Sequence, residues 1–159
     1  TSQASLLSHN VDIMRDFDDI PTIVTDKHKV LQILVNLISN AKHALVTSDC
    51  QTKQLIVRVK PDDDENVVVV VQDNGVGIPQ ENLARVFRHG FTTKKSGHGF
   101  GLHSSALAAK ELDGALTAHS DGPGQGATFT LRLPLNPQRE HSSAKRAPQS
   151  AQVVQKPSK

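Results

Sequence analysis

The chain has 159 residues, which suits one domain with a single sizeable core. Its one cysteine, Cys50, excludes an internal disulfide framework and fits a cytoplasmic setting; no apolar run reaches membrane-spanning length, and the start carries no signal-peptide pattern. The net charge of +2 conceals a split: residues 136–159 hold five Lys and Arg against one Glu, leaving 13 basic and 15 acidic side chains in residues 1–135, with no case for a nucleic-acid surface.

With five Phe and neither Trp nor Tyr, the core must come from Val, Leu, Ile and Ala. Residues 1–9 read as a lead-in from an upstream segment. Val11, Ile13 and Phe17 alternate with polar residues and predict a strand, and Thr22–Thr25 suggests a short second one after Pro21. Asp26 is placed to cap a helix over 27–47, whose expected core stripe is Val30, Leu34, Leu37, Ala41 and Leu45, flanked by Leu31, Ile38 and Ala44. Asn36, Asn40 and His43, at i, i+4 and i+7, form a polar row beside that stripe. Amides are poor helix-interior residues unless their oxygens have work to do, and such oxygens are hard ligands suited to Mg²⁺.

Gln54–Lys60 and Asn66–Asp73 predict a hairpin around the acidic turn 61–65, which is read as solvated rather than as a metal site. The run Val67–Val71 is too uniformly apolar for an edge strand, so Asp73 ends a central one, where ligand clefts open. All ten glycines lie between Gly75 and Gly126, so the unusual backbone geometry is concentrated there. Residues 79–86 suggest a short helix, and residues 88–97 a mobile lid. A long helix over 102–112 is expected to end at Gly114 as its C′ residue, and two more strands, 115–120 and 128–133, flank a Gly-Pro-Gly turn. Residues 136–159, rich in Ser, Gln, Lys, Ala and Pro, read as a disordered basic tail or linker.

Some chemistries are excluded. There is no P-loop, the Gly75-x-Gly77 pair lacks the third glycine of a dinucleotide fingerprint, and Gly97-x-Gly99-x-Gly101 has the wrong spacing for one. His98 and His103 stand five apart, which does not suit a shared metal on a helix, and Cys50 has no evident activating neighbour. What remains is a carboxylate running into a glycine turn, then a threonine- and lysine-bearing segment, then a second glycine cluster opening a helix. Backbone amides and a helix start of that kind hold phosphate chains.

Five blocks, in order, resemble a known set. Asn36-x₃-Asn40-Ala41 is similar to an N box, Asp73-x-Gly75-x-Gly77 to a first glycine box, and Val86-Phe87 through Phe91-Thr92-Thr93-Lys94 to an F box. Gly97-x-Gly99-x-Gly101-Leu102 is similar to a second glycine box and Gly124-x-Gly126-Ala127-Thr128 to a third. Residues 10–135 thus resemble the catalytic ATP-binding domain of sensor histidine kinases, of the superfamily shared with gyrase, MutL proteins and a heat-shock chaperone. The resemblance implies an α+β fold of the Bergerat type: a two-layer α/β sandwich, its mixed sheet covered by helices on one face, with a flexible ATP lid. Its implied ligands are ATP and Mg²⁺.

Residue by residue, the resemblance gives Asp73 the adenine amine, with Gly75 and Gly77 close to the base and Thr128 touching its pocket directly or through water. Asn40 binds Mg²⁺, Asn36 shares the cleft and His43 lies near the phosphates. Thr92 and Lys94 reach the terminal phosphate, and the amides around Gly97, Gly99 and Gly101, before Leu102, hold the phosphate chain. ATP-hydrolysing relatives carry a general-base Glu where this chain has Asn36, so the expected reaction is transfer of the γ-phosphoryl group to a histidine rather than hydrolysis. The acceptor domain is expected upstream, with residues 1–9 as the remnant of its linker. The implied partners are that helical dimerisation domain and a response-regulator receiver domain, within a homodimeric parent, membrane-anchored or not, of which this fragment is a monomeric cytoplasmic part. The alternatives are a hydrolytic ATPase of the same superfamily, an anti-sigma-factor-like serine kinase, or a nucleotide-binding adaptor without catalysis.

Overall fold

Burial alternates strictly along the middle of the sheet, and this alternation gives the domain its two layers. The computed structural model describes residues 11–88 and 101–135. Five strands, β1 (Val11–Phe17), β2 (Lys53–Pro61), β3 (Asn66–Asp73), β4 (Ala115–His119) and β5 (Ala127–Pro134), form one sheet in the order β1-β2-β3-β5-β4. Only β1 runs parallel to its neighbour; the other pairings are antiparallel. β3 is central, as its valine run requires. Val67, Val69 and Val71 meet Leu133, Leu131 and Phe129 of β5 on the covered face, while Val68 and Val70 share the other face with Arg132 and Thr130. Side chains of successive strand residues point to opposite faces, so one register fixes both layers.

Helices α1 (Lys27–Val46) and α3 (Gly101–Glu111) cover that face, and the four-residue α2 (Gln80–Leu83) lies between β3 and α3 in the chain. Asp26 caps α1, its Oδ1 accepting the Lys29 N–H at 3.3 Å. The buried stripe of α1 is Ile33, Leu37, Ala41 and Leu45, every fourth residue. Leu37, Ala41 and Leu45 are the expected members; Ile33 replaces Val30 and Leu34, which are half-buried, and of the expected flanking residues Ile38 is half-buried and Leu31 is 49% exposed. An i+4 row runs obliquely to the helix axis, and α1 packs along that row on the twisted sheet.

Three other expectations are corrected. Residues 22–25 form no strand, although the Val24 N–H reaches the Leu135 carbonyl at 2.9 Å. The helix after Pro79 stops at Leu83 and continues as turns. The left-handed residue ending α3 is Asp113 (φ 62°), not Gly114, whose N–H closes a 2.8 Å bond to Ala109 O as the next residue of a Schellman motif. In the turn 61–65, Asp62 and Asp63 accept from Arg132. Among the described residues, no helix is long and apolar enough to cross a membrane. The expected linker remnant at 1–9, the expected lid at 88–97 apart from Arg88, and the expected tail at 136–159 lie outside the described residues.

Strand direction places the ends. Leu55 of β2 is opposite Asp73, and Val11 of β1 is opposite Lys53, so β1 begins at the Asp73 end of the sheet. β5 also starts at that end, with Ala127 opposite Asp73, and delivers Leu135 to the far end, where Glu65 and Val24 hold it.

Truncating Leu37, which is fully buried, to alanine is expected to cost about 2–5 kcal/mol of stability, while Leu31→Ala costs about 0.5 kcal/mol or less. Urea unfolding of both variants measures the difference.

Candidate functional site

Asp73 closes β3 on the helix-covered face, directly opposite Leu55 and Ala127. It is only 5% exposed. Its Oδ1 accepts the Gly75 N–H at 2.8 Å. Burial pushes the carboxyl up to about 6, and the Gly75 and Ala127 N–H groups pull it partly back. A buried carboxylate favours a protonated state unless a donor meets it, so this group is poised to accept a hydrogen bond from a ligand.

The loop after Asp73 is held from two sides. A Cβ at Gly75 would sit 2.5 Å from the Ala44 carbonyl, which also accepts the Val76 N–H at 3.2 Å; this close approach seats the loop on α1. Gly77 combines a left-handed φ of 75° with a position where a Cβ would collide with the Gly122 carbonyl. Asn74 fixes the start of β2, accepting the Gln54 N–H at 2.8 Å and donating to Thr52 O at 2.7 Å. The loop is therefore wedged between α1 and the β4–β5 turn.

Helix α1 supplies the other wall. Asn36, Asn40 and His43 are half-buried on it. The Asn36 Nδ2 donates to Gly101 O at 3.3 Å and to the buried Ser105 Oγ at 2.9 Å, fastening the first turn of α3 to α1. Because Gly101 O only accepts, this bond fixes which end of the amide is nitrogen and leaves Oδ1 unused by it. Lys29 and Glu111, 3.0 Å apart, tie the opposite ends of the two helices. His103 Nδ1 lies 3.0 Å from the Phe87 carbonyl, and the Phe87 ring meets Phe129 edge-on, with centroids 6.3 Å apart. Among the described residues, no three His, Cys, Asp or Glu side chains form a metal cluster. The oxygens that α1 offers are neutral amides, a donor set that fits a hard cation sharing its ligands with phosphates.

Of the residues expected in the site, Asp73, Gly75 and Gly77 are joined in the loop, Asn36 and Gly101 are joined by a hydrogen bond, and Asn40 and His43 stand half-buried on α1. Leu102 is half-buried against the core. Thr128 is displaced: the register sets it opposite Gln72 and His119, on the helix-free face, and Ala127 stands beside Asp73 instead. Thr92, Lys94, Gly97 and Gly99 lie outside the described residues. Sequence reasoning missed Ser105, Ser120 and Ala127. A strict alternation count from Phe129 would have assigned Ala127 to the covered face; two isolated serines leave no comparable trace.

A buried carboxylate beside a glycine loop, under a helix pair and on a five-stranded mixed sheet, defines an ATP-binding domain of the two-layer α/β class. Residues 25–137 match the histidine kinase-, DNA gyrase B- and HSP90-like ATPases, and the chain belongs to that family. Sensor histidine kinase TmoS of Ectopseudomonas mendocina is 31% identical over 120 residues, covering 75% of this chain and 12% of that protein. Aerobic respiration control sensor protein ArcB of Escherichia coli is 37% identical over 118 residues, covering 70% of this chain and 14% of that protein. The chain thus spans a small part of these multidomain sensor kinases. The catalytic domain of histidine kinase ThkA has the same fold, with a TM-score of 0.74 at 24% identity over 86% of both chains.

The raised Asp73 pKa has a stability consequence with a definite sign. Between the ordinary value of 3.8 and about 6, the folded state holds a proton that the unfolded state has released. Stability is therefore lost as pH rises through that window. Asp73→Asn keeps the acceptor for Gly75 without the charge, and is expected to be more stable than the wild type at pH 7 by on the order of 2 kcal/mol. The gain should shrink towards pH 4. Denaturant unfolding at pH 4, 5, 6 and 7 measures it.

Proposed function

We propose that this domain binds Mg²⁺·ATP and donates the γ-phosphoryl group to a histidine on a separate helical dimerisation domain of a longer sensor kinase. The observation that carries the reading is Asn36, whose side-chain nitrogen is committed to Gly101 and Ser105. An amide cannot take a proton from water, so the position that serves hydrolysis elsewhere in the superfamily here braces the helix start. The phosphoryl group then goes to a better-placed nucleophile.

In this reading Asp73 accepts from the adenine amine, and Gly75 and Gly77 give the base close access to backbone. Asn40, with the oxygen of Asn36 nearby on the same row, would hold Mg²⁺, which supplies charge neutralisation for the triphosphate when bound. His43 lies near the phosphates. Gly97, Gly99 and Gly101 offer amides to the phosphate chain, and Thr92 and Lys94 approach the terminal phosphate. Catalysis is mostly positioning and charge neutralisation, so no side chain of this domain need form a covalent intermediate. The phosphorylated acceptor would then pass its group to a response-regulator receiver domain.

The test uses ³²P-labelled ATP with the longer chain that carries the upstream helices. Acid-labile label is expected on a histidine outside this domain, and Asp73→Asn is expected to remove it together with ATP binding. Steady phosphate release by the isolated domain, at rates matching the labelling, would favour a hydrolytic ATPase. ATP binding without labelling would leave a nucleotide-binding adaptor.

A further inference from the structure

We infer that Ser120 is a positioning residue for the base end of the nucleotide site, setting ATP affinity by locking the β4–β5 turn onto the loop after Asp73. The inference rests on the ATP reading above. Ser120 follows β4 and is only 4% exposed. Its Oγ donates to Gly126 O at 2.6 Å and accepts from Ile78 N at 3.0 Å and Gly122 N at 3.2 Å. A hydroxyl has one proton to give and two lone pairs to share, so these three bonds exhaust it. Each goes to a different backbone segment: the start of β5, the end of the glycine loop and the turn between.

Backbone bonds complete the lock. Gly124 N–H reaches Val76 O at 2.7 Å, and Gly126 N–H reaches Gly75 O at 3.2 Å. Gly75 in turn donates to Asp73 Oδ1. One chain of contacts thus runs from the Ser120 hydroxyl through Gly126 and Gly75 to the carboxylate. Deleting the hydroxyl leaves the buried Gly126 carbonyl and the half-buried Ile78 and Gly122 N–H groups short of a partner, and the loop must shift to find others. The sheet, anchored by its own register, need not follow.

A merely structural role and a positioning role differ in what calorimetry reads. Partial unfolding lowers the number of sites per chain and leaves the affinity of the folded fraction unchanged. Displacement of the loop weakens affinity in every molecule at unchanged stoichiometry. Titration of the purified chain with ATP and Mg²⁺ is expected to show that Ser120→Ala binds about tenfold more weakly with one site retained. Ser120→Cys, nearly isosteric and a weaker hydrogen-bonding group, is expected to fall between. A loss of sites at unchanged affinity, or wild-type affinity in Ser120→Ala, overturns the inference. Asp73→Asn in the same titration separates it from the reading beneath. If Asp73→Asn abolishes binding while Ser120→Ala does not change it, the adenine assignment stands and the Ser120 role fails. Should Asp73→Asn bind normally, both fail, because no carboxylate-read base is left for the turn to position.

Discussion

Burial of the Asp73 carboxylate at the end of β3 is the constraint around which the rest of the site is arranged. A charged group with so little exposure needs donors within reach, and the polypeptide provides two of its own from backbone, Gly75 and Ala127. Those donors come from two different connections, one leaving β3 and one entering β5. Both connections must hold their conformations for the carboxylate to remain where it is. The close approaches at Gly75 and Gly77 follow from that demand, since a side chain at either position would push the loop off α1 or off the turn.

The two helices are held by different means at their two ends. Near the site, a polar clasp of Asn36, Gly101 and Ser105 joins α1 to α3; at the far end, Lys29 and Glu111 form an exposed ion pair. The half-buried clasp is little affected by salt, whereas the exposed pair contributes little and is screened. The firmer attachment is therefore next to the helix start that a phosphate chain would use. The brace is a single amide nitrogen, that of Asn36, shared between Gly101 and Ser105.

Much of this was legible in the residues. The valine run marked the central strand, Asp26 the cap of α1, and the spacing of glycines the loops that crowd Asp73. Element identity followed from composition and spacing, and the two central strands, β3 and β5, alternate in burial along most of their length. The errors have physical causes. The α1 stripe was right at Leu37, Ala41 and Leu45 and wrong only at its N-terminal end, where packing along the oblique i+4 row buries Ile33 and leaves Leu34 half-buried. Thr128 was placed in the pocket by motif, but its parity in β5 sends it to the other face. Gly114 was assigned the left-handed cap that Asp113 takes, while its own lack of a side chain is needed against the Arg132 carbonyl. Ser105 was invisible because its partner, Asn36, is distant in sequence, and Ser120 because its bonds depend on a folded turn and on Ile78 far up the chain.

The directions of the outer strands carry one more consequence. Because β1 is the sole parallel member, Val11 enters at the edge of the sheet level with Asp73 and two strands away, roughly 10 Å across, whereas Leu135 departs from the opposite rim. The chain therefore enters the domain at the same rim that holds Asp73. The last described strand leaves from the rim farthest from the buried carboxylate, so entry and exit of the described chain are separated by the full length of the sheet.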